Sequence, residues 1–104
     1  MIISTAEAVP GREVQEILGV VRGNTIRARH VGKDIVAGLR NIVGGEITEY
    51  TKLMGESREQ ALDRMVEQAR MVGADAIICV RFTTSMVMTQ ASEILAYGTA
   101  VKLR

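Results

Sequence analysis

The stretch SREQALDRMVEQARMVGADAIICVRF, residues 57–82, decides the fold. Its first half spaces apolar residues three and four positions apart, which is the period of a helix with one buried face. Gly73 follows that pattern directly, at the position where a helix commonly ends on a residue with positive φ. The run after it, DAIICVRFTTSMVM at residues 75–88, is rich in β-branched side chains and predicts a strand. A long helix followed at once by a buried strand is therefore the centre of the predicted fold.

The beginning of the long helix has two alternatives. Ser57 and Gln60 match a capping box, so a new helix could begin there after Gly55. Otherwise one helix covers residues 46–72 and tolerates Gly55 at a cost of about 1 kcal/mol. The sequence leaves both open.

Shorter elements flank this centre. KDIVAGLRNIV at residues 33–43 has helical spacing and predicts a short helix that ends at Gly44–Gly45. EVQEILGVVRGNTIRARHV at residues 13–31 predicts a strand after a turn at VPG, with a bulge or bend at Gly19 or Gly23. SEILAYGTAVKLR at residues 92–104 predicts the last strand, and TTSMVMTQAS at residues 83–92 is expected to hold the turn before it.

This order of elements defines a fold class. Strands, a short helix, a long helix and strands again predict an α+β domain of two layers. The sheet is expected to be mostly antiparallel, with both helices packed on one face. A chain of 104 residues has room for one such core, so residues 1–104 are taken as a single domain.

Composition excludes several classes of function. Thirteen Lys and Arg stand against twelve Asp and Glu, so the formal charge is +1 and the basic excess needed for nucleic-acid binding is missing. No apolar run reaches the length of a membrane-spanning helix, and the N-terminal MIISTAEAVPG lacks the basic start of a signal peptide. A single cysteine cannot form an internal disulfide. We therefore expect a cytoplasmic protein with no nucleic-acid or membrane partner.

The same composition indicates self-association. Hydrophobic residues make up 47% of the chain although only two Tyr and one Phe are present, so small aliphatic residues and six Met supply the apolar surface. A small domain has limited interior, and surplus apolar surface is typical of subunit interfaces. We expect a homo-oligomer, while the sequence identifies no other protein partner.

Few residues carry chemistry. Cys79 and His30 are the only cysteine and histidine, so one chain cannot build a soft-ligand metal site alone, although a cysteine near a symmetry axis is repeated in every copy. Both are kept as candidate ligands for a heavy-metal ion; the alternatives are an inert buried thiol and an exposed loop histidine. Met86 and Met88 could offer thioethers to Cu(I), but methionine at strand spacing is more often core. No catalytic group and no cofactor are identified.

Alternation along the strand predicts the position of Cys79. Side chains two residues apart share a face of a sheet, so Ile78, Val80 and Phe82 are expected to meet the helices. The other face then carries five residues: Ile77, Cys79, Arg81, Thr83 and Ser85. An arginine on that face disfavours a sealed hydrocarbon core, so we expect Cys79 at a subunit interface.

Four segments carry a resemblance to a known family: GREVQEILGVVRGNTIRAR (11–29), LRNIVGGEITEYTKLM (39–54), SREQALDRMVEQARMVGADAIICVRF (57–82) and AYGTAVKLR (96–104). Together they resemble the YbjQ-like family, a bacterial group of unknown function with a heavy-metal-binding label. The most specific parts are Gly44–Gly45, GADAI at 73–77 and GTAV at 98–101. The resemblance implies a small α+β subunit whose strands assemble with neighbours into a ring, a pentamer. Between Phe82 and Tyr97 the chain departs from the glycine-rich version expected in relatives.

Three functions compete on this sequence. The first is a non-enzymatic homo-oligomer, pentameric as the resemblance implies, that binds a metal ion or a small ligand at subunit interfaces. The second is a structural or protein-interaction module without a ligand. The third is a redox sensor that depends on Cys79. Because no catalytic constellation is found, the first is favoured.

Overall fold

The computed structural model describes residues 1–28, 42–43, 46–88 and 91–104. Within these ranges the chain forms one long helix and six strands. The helix, α1, spans Thr48–Met71. The strands are β1 (Ile2–Ile3), β2 (Val14–Ala28), β3 (Ile42–Val43), β4 (Glu46–Ile47), β5 (Ala76–Met88) and β6 (Ala91–Leu103).

Four strands form the main sheet in the order β1–β5–β6–β2. β6 pairs antiparallel with both β5 and β2, whereas the two-residue β1 runs parallel to β5. β3 and β4 pair separately as a two-stranded antiparallel sheet. The predicted α+β class is confirmed, and the N-terminal residues make the sheet mixed by adding a parallel edge.

Of the two alternatives for the long helix, the structure has the single continuous helix, which passes through Gly55. Ser57 lies inside α1 with 1% of its surface exposed, and its hydroxyl donates to the Leu53 carbonyl oxygen at 2.9 Å. That bond to the preceding turn belongs to a helix interior, so the capping box prediction is wrong. The predicted helical residues 46–47 form β4 instead. The C-terminal end is as predicted, because Gly73 has a φ of +78° and its N–H donates to the Arg70 carbonyl oxygen at 3.0 Å.

Two further predictions concern the segments 33–43 and 83–92. The short helix predicted over residues 33–43 lies outside the described residues except for Ile42–Val43, and these form β3. Both are β-branched, which favours a strand when a partner strand is available. The strand predicted over residues 75–88 is confirmed as β5, which ends at Met88, and the antiparallel β6 begins at Ala91, so the chain reverses within the segment 83–92 that was expected to hold the turn.

Backbone hydrogen bonds and φ angles show the predicted VPG turn before β2 and the predicted irregularity within β2. The N–H of Arg12 donates to the Val9 carbonyl oxygen at 3.1 Å, and Gly11 has a φ of +78°, as the VPG turn requires. The register of β2 against β6 shifts between Ile17 and Gly19, where Gly19 has a φ of +121°. The irregularity is therefore a bulge at Gly19, and β2 continues through Gly23 without a bend.

The core has one cluster on each face of the sheet. On the first face α1 packs through fully buried small and medium side chains: Ala61, Met65 and Ala69 against Val21, Ile77, Val80, Ile94, Ala96 and Ala100. Gly23 sets how closely the helix approaches, because a Cβ there would overlap the Ala61 carbonyl oxygen and the Met65 amide nitrogen. On the second face a smaller cluster contains Ala76, Ile78, Val101 and Leu103, with Val9 and Val14 packed against it.

Candidate functional site

An open groove lies between α1 and the sheet. Its volume is about 900 Å³. It is lined by ten residues: Arg27, Lys52, Gly55, Glu56, Arg58, Glu59, Gln60, Leu62, Asp63 and Phe82. The groove exists because α1 packs over β2 and β6 and leaves Phe82, on β5, 46% exposed.

The charges of the groove are balanced. Arg27, Lys52 and Arg58 supply three cations, and Glu56, Glu59 and Asp63 supply three anions. One contact orders the wall, since Arg27 Nη2 donates to Gln60 Oε1 at 3.0 Å. No His or Cys is found among the described lining residues. The groove therefore offers polar contacts to a ligand of low net charge, without a nucleophile and a base placed together.

Cys79, the first candidate ligand, lies at a bulge in β5. The register against β6 shifts between Ile78 and Arg81, and Cys79 itself has a φ of +54°. Cys79 is the only non-glycine residue with positive φ in the part of the chain that the structure describes. Such a conformation costs a residue with a Cβ about 1–2 kcal/mol, so the neighbouring structure must hold it in place.

The N-terminal residues 1–6 hold this bulge from the outer side of β5. The N–H groups of Cys79 and Val80 each donate at 3.0 Å, to the carbonyl oxygens of Ala6 and Ser4 respectively. Arg81 adds a third link, because its Nη1 donates to the Thr5 carbonyl oxygen at 3.0 Å. These bonds compensate for the strained backbone at Cys79.

The bulge changes which side chains share a face. Cys79 packs against the second cluster, on the face away from α1, as predicted. The prediction for its neighbours is wrong in two places, since Ile77 meets the helix and Ile78 belongs to the second cluster. An extra residue in the strand reverses the alternation on one side of it. No sequence signal marks this bulge, because glycine is the residue that usually occupies its positive-φ position.

The remaining candidate ligands are His30, Met86 and Met88. His30 lies outside the described residues. Met86 and Met88 are 75% and 65% exposed, so the interpretation of these two methionines as core is wrong for the single chain. The reason is that α1 packs over β2 and β6 and leaves this end of β5 uncovered. Met65, by contrast, lies on the face of α1 that packs against the sheet and is fully buried.

Fold and sequence together define a class: a small two-layer α+β subunit with a four-stranded mixed sheet and one long helix. All of residues 1–104 match the model of a family described as "Putative heavy-metal-binding". The chain belongs to this family, the YbjQ-like family, as the sequence predicted.

Relatives with high identity cover almost the whole chain. A UPF0145 protein of Archaeoglobus fulgidus is 64% identical over 104 residues, which are 100% of this chain and 96% of that protein. A UPF0145 protein of Vibrio campbellii is 57% identical over 103 residues, covering 99% of each chain. The family is therefore not confined to bacteria, which corrects the expectation of a bacterial group.

A solved structure shares the fold. A crystal structure of a protein of unknown function of the DUF74 family, from Pediococcus pentosaceus, superimposes with a TM-score of 0.72. It covers 100% of this chain and 98% of its own, at 17% sequence identity. At this identity the likeness extends to the fold alone.

The donor groups of one chain do not fit the heavy-metal description. A structural soft-metal site needs about four thiolate or imidazole ligands, and Cys79 is the only thiol of the chain. Within the described residues no three His, Cys, Asp or Glu side chains come together as a metal site would require. No cofactor is therefore established.

None of the described helices has the length and apolar character needed to cross a membrane.

Proposed function

We propose that the chain is a non-enzymatic subunit of a homopentameric ring in the cytoplasm, and that the ring binds a small ligand or a metal ion where subunits meet. The observation that carries this proposal is the open face of the sheet, which we define by Ile17, Val20, Ile26 and Tyr97. Their exposed fractions are 68%, 68%, 58% and 37%. An antiparallel sheet with one solvated face normally carries polar side chains there.

The position of these side chains follows from the strand register. Ile17 pairs with Val101, and Val20 pairs with Thr99, so both point away from the face that α1 covers. Burying an aliphatic side chain of this size contributes about 1.5–3 kcal/mol. A few such residues repeated in every copy supply a driving force for association that one isolated chain leaves unused.

Ligand binding at the interface is proposed from the composition of a single chain. Each chain has one Cys and one His, too few for a soft-metal site, so such a site would combine donors from more than one copy. Cys79 is half-buried on the same face as the second cluster, where a neighbouring copy could reach it. The charge-balanced groove supports the alternative of a small polar ligand.

A protein-interaction module without a ligand is the second candidate. The open face favours it too, because an apolar surface can be covered by a different protein as well as by another copy. The two candidates differ in whether an ion or small molecule remains bound to the purified protein.

The test is mass measurement of the protein purified without chelators. Light scattering and native mass spectrometry are expected to give five copies, with a bound ion or small molecule released on denaturation. Val20→Glu should weaken the assembly, whereas Gln15→Glu, exposed on the same strand but outside the open face, should not. A single-chain mass at every concentration would refute the ring. A ring that carries nothing under any condition would refute ligand binding and favour the interaction module.

A further inference from the structure

Two successive backbone N–H groups of β5 point to the same side of the strand. Those of Cys79 and Val80 donate at 3.0 Å to the carbonyl oxygens of Ala6 and Ser4 respectively. In a regular strand successive N–H groups point to opposite sides, so only one of the two could reach this partner. The bulge at Cys79, where φ is +54°, interrupts the alternation and makes both contacts possible.

The bulge and the N-terminal residues therefore depend on each other. We name residues 1–6 the N-terminal strap. A residue with a Cβ keeps a positive φ only where surrounding contacts hold it there, and the strap supplies such contacts on the outer side of β5. Conversely, a β5 without the bulge would turn one of the two N–H groups towards β6, and the strap would lose that bond. A contact that favours one conformation is itself favoured by that conformation.

Backbone groups, more than side chains, attach the strap to β5. None of its six residues is buried, and the first three are 38–44% exposed. Besides the two bonds above, the N–H of Ser4 donates to the Ile77 carbonyl oxygen at 2.9 Å, and Arg81 Nη1 donates to the Thr5 carbonyl oxygen at 3.0 Å. A segment with few buried apolar contacts opens at a lower free-energy cost than the core. The strap can therefore open while the rest of the sheet stays folded.

The bulge also decides on which face of the sheet Phe82 lies. Val80 packs against α1 in the first cluster, and Phe82, two residues further on, lines the groove beside the same helix. Arg81, between them, donates to the strap through its side chain. A shift of one residue moves every side chain of a strand to the opposite face. Loss of the bulge would therefore turn Phe82 away from α1 and turn Arg81 towards it.

The pairing of β5 with β6 reports which of the two arrangements is present. Ile78 pairs with Thr99 before the bulge, and Arg81 pairs with Tyr97 after it. Without the extra residue, the register of Ile78 and Thr99 would continue along the strand, so Arg81 would pair with Ala96 instead. The two arrangements therefore place different residues opposite Arg81.

We propose that the N-terminal strap is a conformational switch for β5. When bound, the strap holds the bulge at Cys79 and keeps Phe82 in the groove beside α1; when it is released, β5 loses the bulge and residues 81–88 turn over. Among the described residues that line the groove, Phe82 is the aromatic one. Strap binding at the outer side of β5 is thereby coupled to the shape of the groove on the α1 face. This coupling exists within one chain and is independent of the proposed ring.

Ser4→Pro tests the switch in the full chain. Proline removes the N–H that bonds to the Ile77 carbonyl oxygen, so the strap is expected to open and the amides of Cys79 and Val80 to exchange fast. Cross-strand NOEs between backbone protons then give the register. The NOE of residue 81 to residue 97 is expected to be lost and replaced by one to residue 96. An unchanged register in a chain whose strap has opened would overturn the proposal.

Rescue at residue 79 separates the switch from a general effect on folding. Glycine adopts a positive φ without strain, so in the Cys79→Gly chain the bulge no longer needs the strap, and Ser4→Pro should leave the NOE between residues 81 and 97 in place. Cys79→Ala is the matched control, since it lacks the thiol but keeps a Cβ, and there the NOE should be lost.

The same comparison holds if Ser4→Pro alone unfolds the chain. Cys79→Gly is then expected to restore the helical circular dichroism signal of Ser4→Pro, whereas Cys79→Ala is not. Equal behaviour of the Gly and Ala chains, by NOE or by circular dichroism, would show that the strap does not act through the strained residue and would overturn the proposal.

Discussion

The two halves of β5 differ although they belong to one strand. In residues 76–80 every side chain is buried except the half-buried Cys79, whereas all of residues 81–88 are exposed. Composition explains only part of the difference, since Phe82, Met86 and Val87 are apolar and yet 46%, 75% and 50% exposed. Residues 76–80, the near half, have α1 on one face and N-terminal residues on the other. Residues 81–88 are the distal half. Burial along this strand is thus decided by which neighbours cover it.

The largest expected effect comes from truncating the two halves of β5. Ile77→Ala removes a fully buried side chain, so the free energy of unfolding should fall by about 2–5 kcal/mol. Val87→Ala, at a position that is 50% exposed, should change it by about 0.5 kcal/mol in the dissociated chain. Urea unfolding at high dilution measures both. Equal losses would show that the distal half is as buried within one chain as the near half.

Two glycines test how closely α1 packs on the sheet, since Gly23 lies against the helix and Gly55 has open space around it. Gly23→Ala should lower the free energy of unfolding by about 1–3 kcal/mol, because its Cβ would overlap backbone atoms of Ala61 and Met65. Gly55→Ala should raise it by up to about 1 kcal/mol, since Gly55 lies in α1 with space around it. Thermal unfolding of the two variants gives opposite shifts if α1 lies against Gly23. A stabilising Gly23→Ala would be incompatible with that packing.

The boundary between the two halves is the bulge at Cys79, and its expected effect is smaller. Glycine adopts the observed φ of +54° without strain, whereas a β-branched residue does not. Cys79→Gly should therefore be more stable than Cys79→Val by at least about 1 kcal/mol. Chemical denaturation compares the two variants directly. A Val variant as stable as the Gly variant would mean that the positive φ is absent in solution.

Much of the fold could be predicted from local patterns. The helical spacing through Ala61 and Met65, with Gly73 after it, identified α1 and its end. A helix with one buried face requires apolar residues three and four positions apart, and an end with positive φ favours glycine. Strands β2, β5 and β6 were likewise visible from β-branched runs. The family followed from motifs that extend over most of the chain.

The errors arise where distant partners override local preference. Ser57 has the pattern of a cap, yet it lies inside α1, where it is buried and its carbonyl oxygen accepts a hydrogen bond from the Thr25 hydroxyl of β2 at 3.2 Å. Residues 46–47 continue the helical pattern of the sequence, but they pair with Ile42–Val43 as a strand instead. The candidate site was predicted least well, because the bulge at Cys79 has no local signature in the sequence.

Hydrogen exchange along β5 tests the central claim, that the two parts of this strand differ because different neighbours cover them, most directly. The amides of Cys79 and Val80 donate to the carbonyl oxygens of Ala6 and Ser4, so they are expected to exchange slowly in the dissociated chain. Backbone groups alternate between the two sides of a strand, so the amides of Phe82 and Thr84 face outward, find no partner among the described residues and should exchange fast. Slow exchange of Phe82 and Thr84 in the dissociated chain would contradict the account.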